Sequence, residues 1–146
     1  MRYANKRHNF SIELPNGWRK ERRKLLFIFT GGKVAFQSED KRATINVSVG
    51  KLDRPEWSDQ ATRKSDMVTF ITSAPGNYSS QDHGELGIKL GGEENTVAFW
   101  HRWSTGFGTI ISAFHNDIEY VVQSNNSAYP AHHKDVESAV ESFQFI

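Results

Sequence analysis

Trp100-His101-Arg102-Trp103 is the most unusual tetrapeptide in this 146-residue sequence. An extended chain sends alternate side chains to opposite faces, so Trp100 and Arg102 share one face and His101 and Trp103 the other. An indole beside a guanidinium on a sheet face stacks on a flat ligand or binds a carboxylate. Trp100, Arg102 and Trp103 are therefore the candidate ligand-binding residues, for an anionic small molecule or lipid. The competing reading makes the aromatics core and pairs Arg102 at a rim. A second group is basic: Arg19-Lys20-Glu21-Arg22-Arg23-Lys24 carries five cations in six positions. Arg19, Lys20, Arg22, Arg23 and Lys24 suit an acidic protein surface. The competing reading is a solvated edge strand whose charges discourage edge-to-edge pairing. A nucleic-acid partner calls for greater overall basicity and an aromatic or helical reader, and neither is evident.

Other chemistries lack their parts. The chain has no cysteine, which excludes disulfides, thiolate zinc sites and thiol nucleophiles. His132 and His133 are neighbours, so on a helix they point about 100° apart and do not chelate one ion together. His132 with Asp135 is half a site, where zinc asks for three or four ligands. No metal and no cofactor is expected. Thr30-Gly31-Gly32 and Ser104 to Gly108 read as hairpin turns, because neither leads into a helix as a phosphate-binding loop does. No G-x-S-x-G elbow is present. Glu93-Glu94 sits in a turn, too wet to acquire the shifted pKa of an acid–base pair. No set of nucleophile, base and stabiliser can be written, and the expectation is a protein that is not an enzyme.

The elements that position these residues follow from periodicity. Phe10, Ile12 and Leu14 alternate with polar residues as a half-buried strand does, and Pro15-Asn16-Gly17 turns the chain into Trp18. Leu25 to Phe29 and Lys33 to Gln37 form a hairpin, and Ala43, Ile45, Val47 and Val49 mark a further strand. Asp53 and Glu56 have capping-box spacing around Pro55. They open a helix with Trp57, Ala61, Val68 and Ile71 on its apolar side and Asp59, Arg63 and Asp66 opposite. Four strands follow, over Glu85 to Leu90, Asn95 to Trp103, Thr109 to Phe114 and Ile118 to Gln123. A last helix starts near Pro130 and buries Val136, Ala139, Val140 and Phe143. The apolar content of 37% and charged content of 24% argue against disorder. The fold class is α+β: an antiparallel sheet flanked by helices, one on each face, in one domain spanning 1–146.

Phe10-Ser11-Ile12-Glu13-Leu14-Pro15-Asn16-Gly17-Trp18 resembles the opening motif of the PsbP-like superfamily, and Ser142-Phe143-Gln144-Phe145 resembles its closing helix and short strand. The superfamily includes the photosystem II extrinsic subunit and the fungal Ran-binding import factor. The resemblance implies an α-β-α sandwich and a mostly non-catalytic role in binding proteins. It transfers no functional residue, because neither a Ran-binding acidic surface nor a photosystem contact matches positions here. The expected function is a non-enzymatic adaptor, chaperone or accessory subunit, the alternative being a small-molecule or lipid module.

Charge is unevenly placed. Residues 1–73 carry 15 Lys and Arg against 8 Asp and Glu, while residues 74–146 carry 3 against 9. Strands of the two halves interleaved in one sheet would neutralise this locally; segregated halves would leave a basic face. No apolar stretch after Met1 to Asn9 makes a signal peptide, and Leu25 to Phe29 is too short to span a bilayer. A cytoplasmic location is the default, and a leader removed upstream is compatible with it.

Overall fold

The computed structural model describes residues 1–21, 32–51, 55–73 and 82–146. Along the chain these form β1 (Arg2–Asn5), β2 (Phe10–Glu13), β3 (Arg19–Lys20), β4 (Gly32–Gln37), β5 (Ala43–Lys51) and α1 (Gln60–Ser73). They continue as β6 (Asp82–Glu85), β7 (Thr96–Trp103), β8 (Gly106–His115), β9 (Ile118–Asn126), α2 (His133–Glu141) and β10 (Gln144–Phe145). Among the described residues seven strands make one sheet in the order β3-β4-β5-β9-β8-β7-β6, and β1-β2-β10 make a second. Every ladder is antiparallel. This is the expected α+β fold, with helices against a large antiparallel sheet.

The large sheet is covered on both faces, each by the residues its alternation supplies. On one face Val34, Val47, Val122, Ile111 and Ala98 run in register across five strands. The small sheet and α2 close over this face, contributing Phe10, Ile12, Val136, Val140 and Phe143 to the main core. Phe10 and Phe143 stack at 5.4 Å, and the Tyr120 hydroxyl donates to the His8 carbonyl at 2.9 Å. On the other face Met67 and Ile71 of α1 pack against Val97 and Phe99 of β7. This explains why β7 is apolar on both sides.

Several elements differ from the sequence expectation. Arg2–Asn5, polar on paper, is a strand because it pairs with β2 and sets Tyr3 edge-on against Phe36 at 5.0 Å. The strand expected over Glu85 to Leu90 stops at Glu85. Leu86 and Ile88 pack on the main core, and Leu90–Gly92 forms a 3-10 turn in which Gly91 and Gly92 have φ of +58° and +80°. A strand cannot pass through that conformation. The loop expected from Ser104 to Gly108 shrinks to two residues, since Trp103 already pairs with Gly106. The last helix begins at His133 instead of Pro130, because His132 is left-handed at φ 63°.

The first helix also starts later. Pro55–Ser58 is a separate 3-10 turn holding Trp57, and α1 is capped by Asp59, whose carboxylate accepts from the Thr62 N–H at 3.0 Å. Arg63, expected on the solvated side, is 1% exposed. It lies one turn before Met67 and two before Ile71, so it occupies the buried stripe of the helix. Asp53 and the strand expected over Leu25 to Phe29 lie outside the described residues.

Candidate ligand-binding site

Strand β7 presents Trp100 and Arg102 to the α2 face of the sheet, in register with Thr109 and Phe107 of β8. Trp100 leans over β6 at Gly84, where a Cβ would meet the indole Nε1 at 2.5 Å, so only glycine leaves room for the ring. From there an aromatic row crosses the sheet. Trp100 and Phe107 are parallel at 6.0 Å, and Phe107 stacks on Tyr129 at 4.9 Å. His133 meets both Phe107 and Tyr129 edge-on at 5.2 Å.

Tyr129 comes from a loop and is placed by Asn126. The Asn126 side chain donates to the Ala131 carbonyl at 2.6 Å and accepts from the Ala128 N–H at 3.0 Å. The start of α2 is tied down separately: His132 Nε2 meets Asp40 Oδ2 at 2.7 Å, linking the helix to the β4–β5 turn. The Ser38 hydroxyl, His132 and the Arg42 N–H together hold the Asp40 carboxyl well below the usual carboxylate range. The adjacent histidines thus diverge, His132 toward Asp40 and His133 toward the aromatic row.

Between α2 and the sheet these residues enclose a cavity of about 360 Å3. Its floor is Trp100, Phe107, Thr109, Ile111 and Ser124, and α2 supplies Val136 and Val140. Leu86 and Ile88 close it beyond β6, and Tyr129 and His133 stand on another side. The Thr109 and Ser124 hydroxyls of the floor bond each other at 2.6 Å. The charged members are Asp82, Arg102, Glu137 and Glu141, all exposed. Such a lining, apolar and aromatic with a few charged groups, binds organic molecules.

Of the three candidate ligand residues, Trp100 and Arg102 line this cavity and Trp103 does not. Trp103 points to the α1 face, where its ring lies 5.1 Å from His101. Burial, reinforced by the His83 imidazole, pushes the His101 pKa down. Arg102 places its guanidinium 5.1 Å from the Tyr129 ring centre. Of the candidate partner residues, Arg19 and Lys20 are exposed on β3, the end strand of the large sheet among the described residues, and the Lys20 ammonium lies 5.3 Å from the Tyr3 ring centre. Arg22, Arg23 and Lys24 lie outside the described residues. Phe107, Tyr129 and His133 escaped the sequence reading, because only strand pairing and the loop before α2 bring them beside Trp100.

No family model matches the sequence, and no curated protein matches it. Among solved structures, cyanobacterial PsbP (CyanoP) from Synechocystis superposes with a TM-score of 0.66 at 10% identity, covering 100% of this chain and 92% of that one. A protein of Bacteroides thetaiotaomicron superposes with a TM-score of 0.57 at 13% identity, covering 99% of this chain and 48% of that one. The present chain has the PsbP-like fold. Among the described residues no helix is long and apolar enough to cross a membrane.

Proposed function

We propose that this PsbP-like chain is a small binding protein without catalytic chemistry, and that the cavity under α2 takes a small organic molecule with an apolar body. One observation carries the reading: about 360 Å3 of space bordered by the Trp100–Phe107–Tyr129 row. Organic ligands occupy pockets of roughly 300–1,000 Å3. Thr109 and Ser124 are bonded to each other, and among the described residues no carboxylate or imidazole hydrogen-bonds to either. Nucleophilic catalysis needs that contact.

The test uses contact quenching. Bromobenzene, whose heavy atom quenches an indole only at close range, is titrated while tryptophan emission is followed. Saturable quenching is expected in the wild type and in Trp57→Phe, and its loss in Trp100→Phe, which keeps a ring in place. Quenching that survives in Trp100→Phe, or no saturable quenching in the wild type, sinks the reading.

A second reading, an accessory or adaptor protein that meets an acidic partner, is favoured by the exposure of Arg19 and Lys20 at the sheet edge. It concerns the opposite end of the large sheet from β6 and β7, so one chain accommodates both.

A further inference from the structure

We infer that the ligand of this cavity is an organic cation, an amine or quaternary ammonium on an apolar, ring-bearing body. The inference rests on reading the cavity as a ligand site and concerns only the head group. Asp82, Glu137 and Glu141 line the cavity against a single guanidinium, Arg102. That guanidinium already has company. It sits at the Tyr129 ring, and Asp82 is its directly opposed residue in the β6–β7 ladder, a placement in which opposite charges attract.

Among the described residues Glu137 and Glu141 have no compensating cation in the lining, Lys134 three residues before Glu137 lying outside it. They are four residues apart on one helix, a spacing at which like charges repel, and both border the same space as Val136 and Val140. A cation placed there would relieve that repulsion.

The elements that line the cavity carry charge of the same sign. Strands β6 to β9 and helix α2 all come from residues 74–146, which hold 9 Asp and Glu against 3 Lys and Arg. Screening at physiological salt acts over about 8 Å, so carboxylates near the mouth still bias what enters it. The aromatic row adds ring faces, whose negative quadrupole attracts an ammonium. An anionic ligand, the expectation raised by Arg102 alone, would have to enter past three carboxylates.

Calorimetry with three probes sharing one body separates head group from cavity: phenylbutylammonium, phenylbutanol and phenylbutyrate. The ammonium is expected to bind tightest, the alcohol more weakly and the carboxylate weakest. In the double variant Glu137→Gln/Glu141→Gln, the ammonium is expected to weaken roughly fivefold, the scale of two solvent-screened ion pairs, while the alcohol is unchanged. Both positions are exposed, so the variant keeps its fold. Equal binding of ammonium and alcohol, tighter binding of the carboxylate, or an ammonium affinity indifferent to the double variant overturns the cation while the cavity stands. Failure of all three probes to bind overturns the cation and the cavity together.

Discussion

Arg63 shows what a single side chain does when a helix buries it. Its guanidinium donates to Asn95 Oδ1 at 2.5 Å, to the Asn95 carbonyl at 3.1 Å and to the Ser112 carbonyl at 2.9 Å, and lies 4.7 Å from the Phe114 ring centre. Burial pushes its pKa down, and the Glu119 and Asp59 carboxylates push back, but an arginine stays charged in a protein. One residue therefore bolts α1 to β7 and β8 through hydrogen bonds a methionine cannot make. Arg63→Met should lower unfolding free energy by about 3 kcal/mol, the usual scale for cutting a buried charged network. Arg63→Lys should fall between, since an ammonium lacks the planar fork. Urea denaturation checks both, and a methionine variant as stable as the wild type would show the network to be dispensable. The sequence carried the signal for this burial. Extending the Met67–Ile71 spacing back by four residues lands on Arg63, but binary patterning assigns a charge to water and so chose the wrong helix phase.

At the scale of elements, α1 depends on its cap. Asp59 accepts from both the Thr62 N–H and the Thr62 hydroxyl, at 3.0 and 2.9 Å. These bonds hold its carboxyl below the ordinary aspartate range. A carboxyl whose pKa is lower folded than unfolded stabilises the fold above the unfolded value, and that contribution disappears as pH falls through the folded one. The thermal midpoint should therefore drop on acidification, with a shallower acid limb in Asp59→Asn, which still caps but does not titrate. Asp59→Ala should be less stable already at neutral pH. Melts between neutral pH and strong acid read the difference, and superimposable acid limbs for wild type and Asp59→Asn would remove Asp59 from the account. Regular alternation made β5 plain in the sequence. Where elements depend on partners, local pattern failed. β1 exists because β2 pairs with it, and β6 ends where Leu86 and Ile88 turn to the core. The cavity was legible only as two of its residues, Trp100 and Arg102. Its volume is set by how much of the sheet α2 leaves uncovered, which no local spacing encodes.

At the scale of the whole molecule, the strand order decides what the uneven charge does. The opening motif and the closing Ser142–Phe145 segment implied a PsbP-like fold, and that is the fold found. The same residues do not say how the two halves meet. In the large sheet β3, β4 and β5 lie on one side and β9, β8, β7 and β6 on the other, with the β5–β9 ladder as the seam. Within the large sheet the strands of the two halves are segregated, not interleaved, although β2 pairs with β10 and α1 packs on β7, where Lys64 meets Glu85 at 2.7 Å. The strands at the β3 end carry Arg19, Lys20, Lys33 and Lys51 and no carboxylate, whereas β6 to β9 and α2 carry Asp82, Glu85, Glu119, Asp135, Glu137 and Glu141 against Arg102 and Lys134. With a net charge of only +1, the molecule should nonetheless behave as a polarised body that orients toward an acidic surface by its β3 edge. Immobilised polyglutamate is a suitable mimic of such a surface. Retention is expected at low ionic strength and release near 0.15 M salt, where the screening length contracts to about 8 Å. Arg19→Glu/Lys20→Glu, both exposed on a strand of two residues, should elute earlier, whereas Glu137→Gln/Glu141→Gln at the far end should change retention little. If reversing Arg19 and Lys20 leaves the elution position where it was, attraction does not originate at this edge and the acidic-partner reading loses its footing.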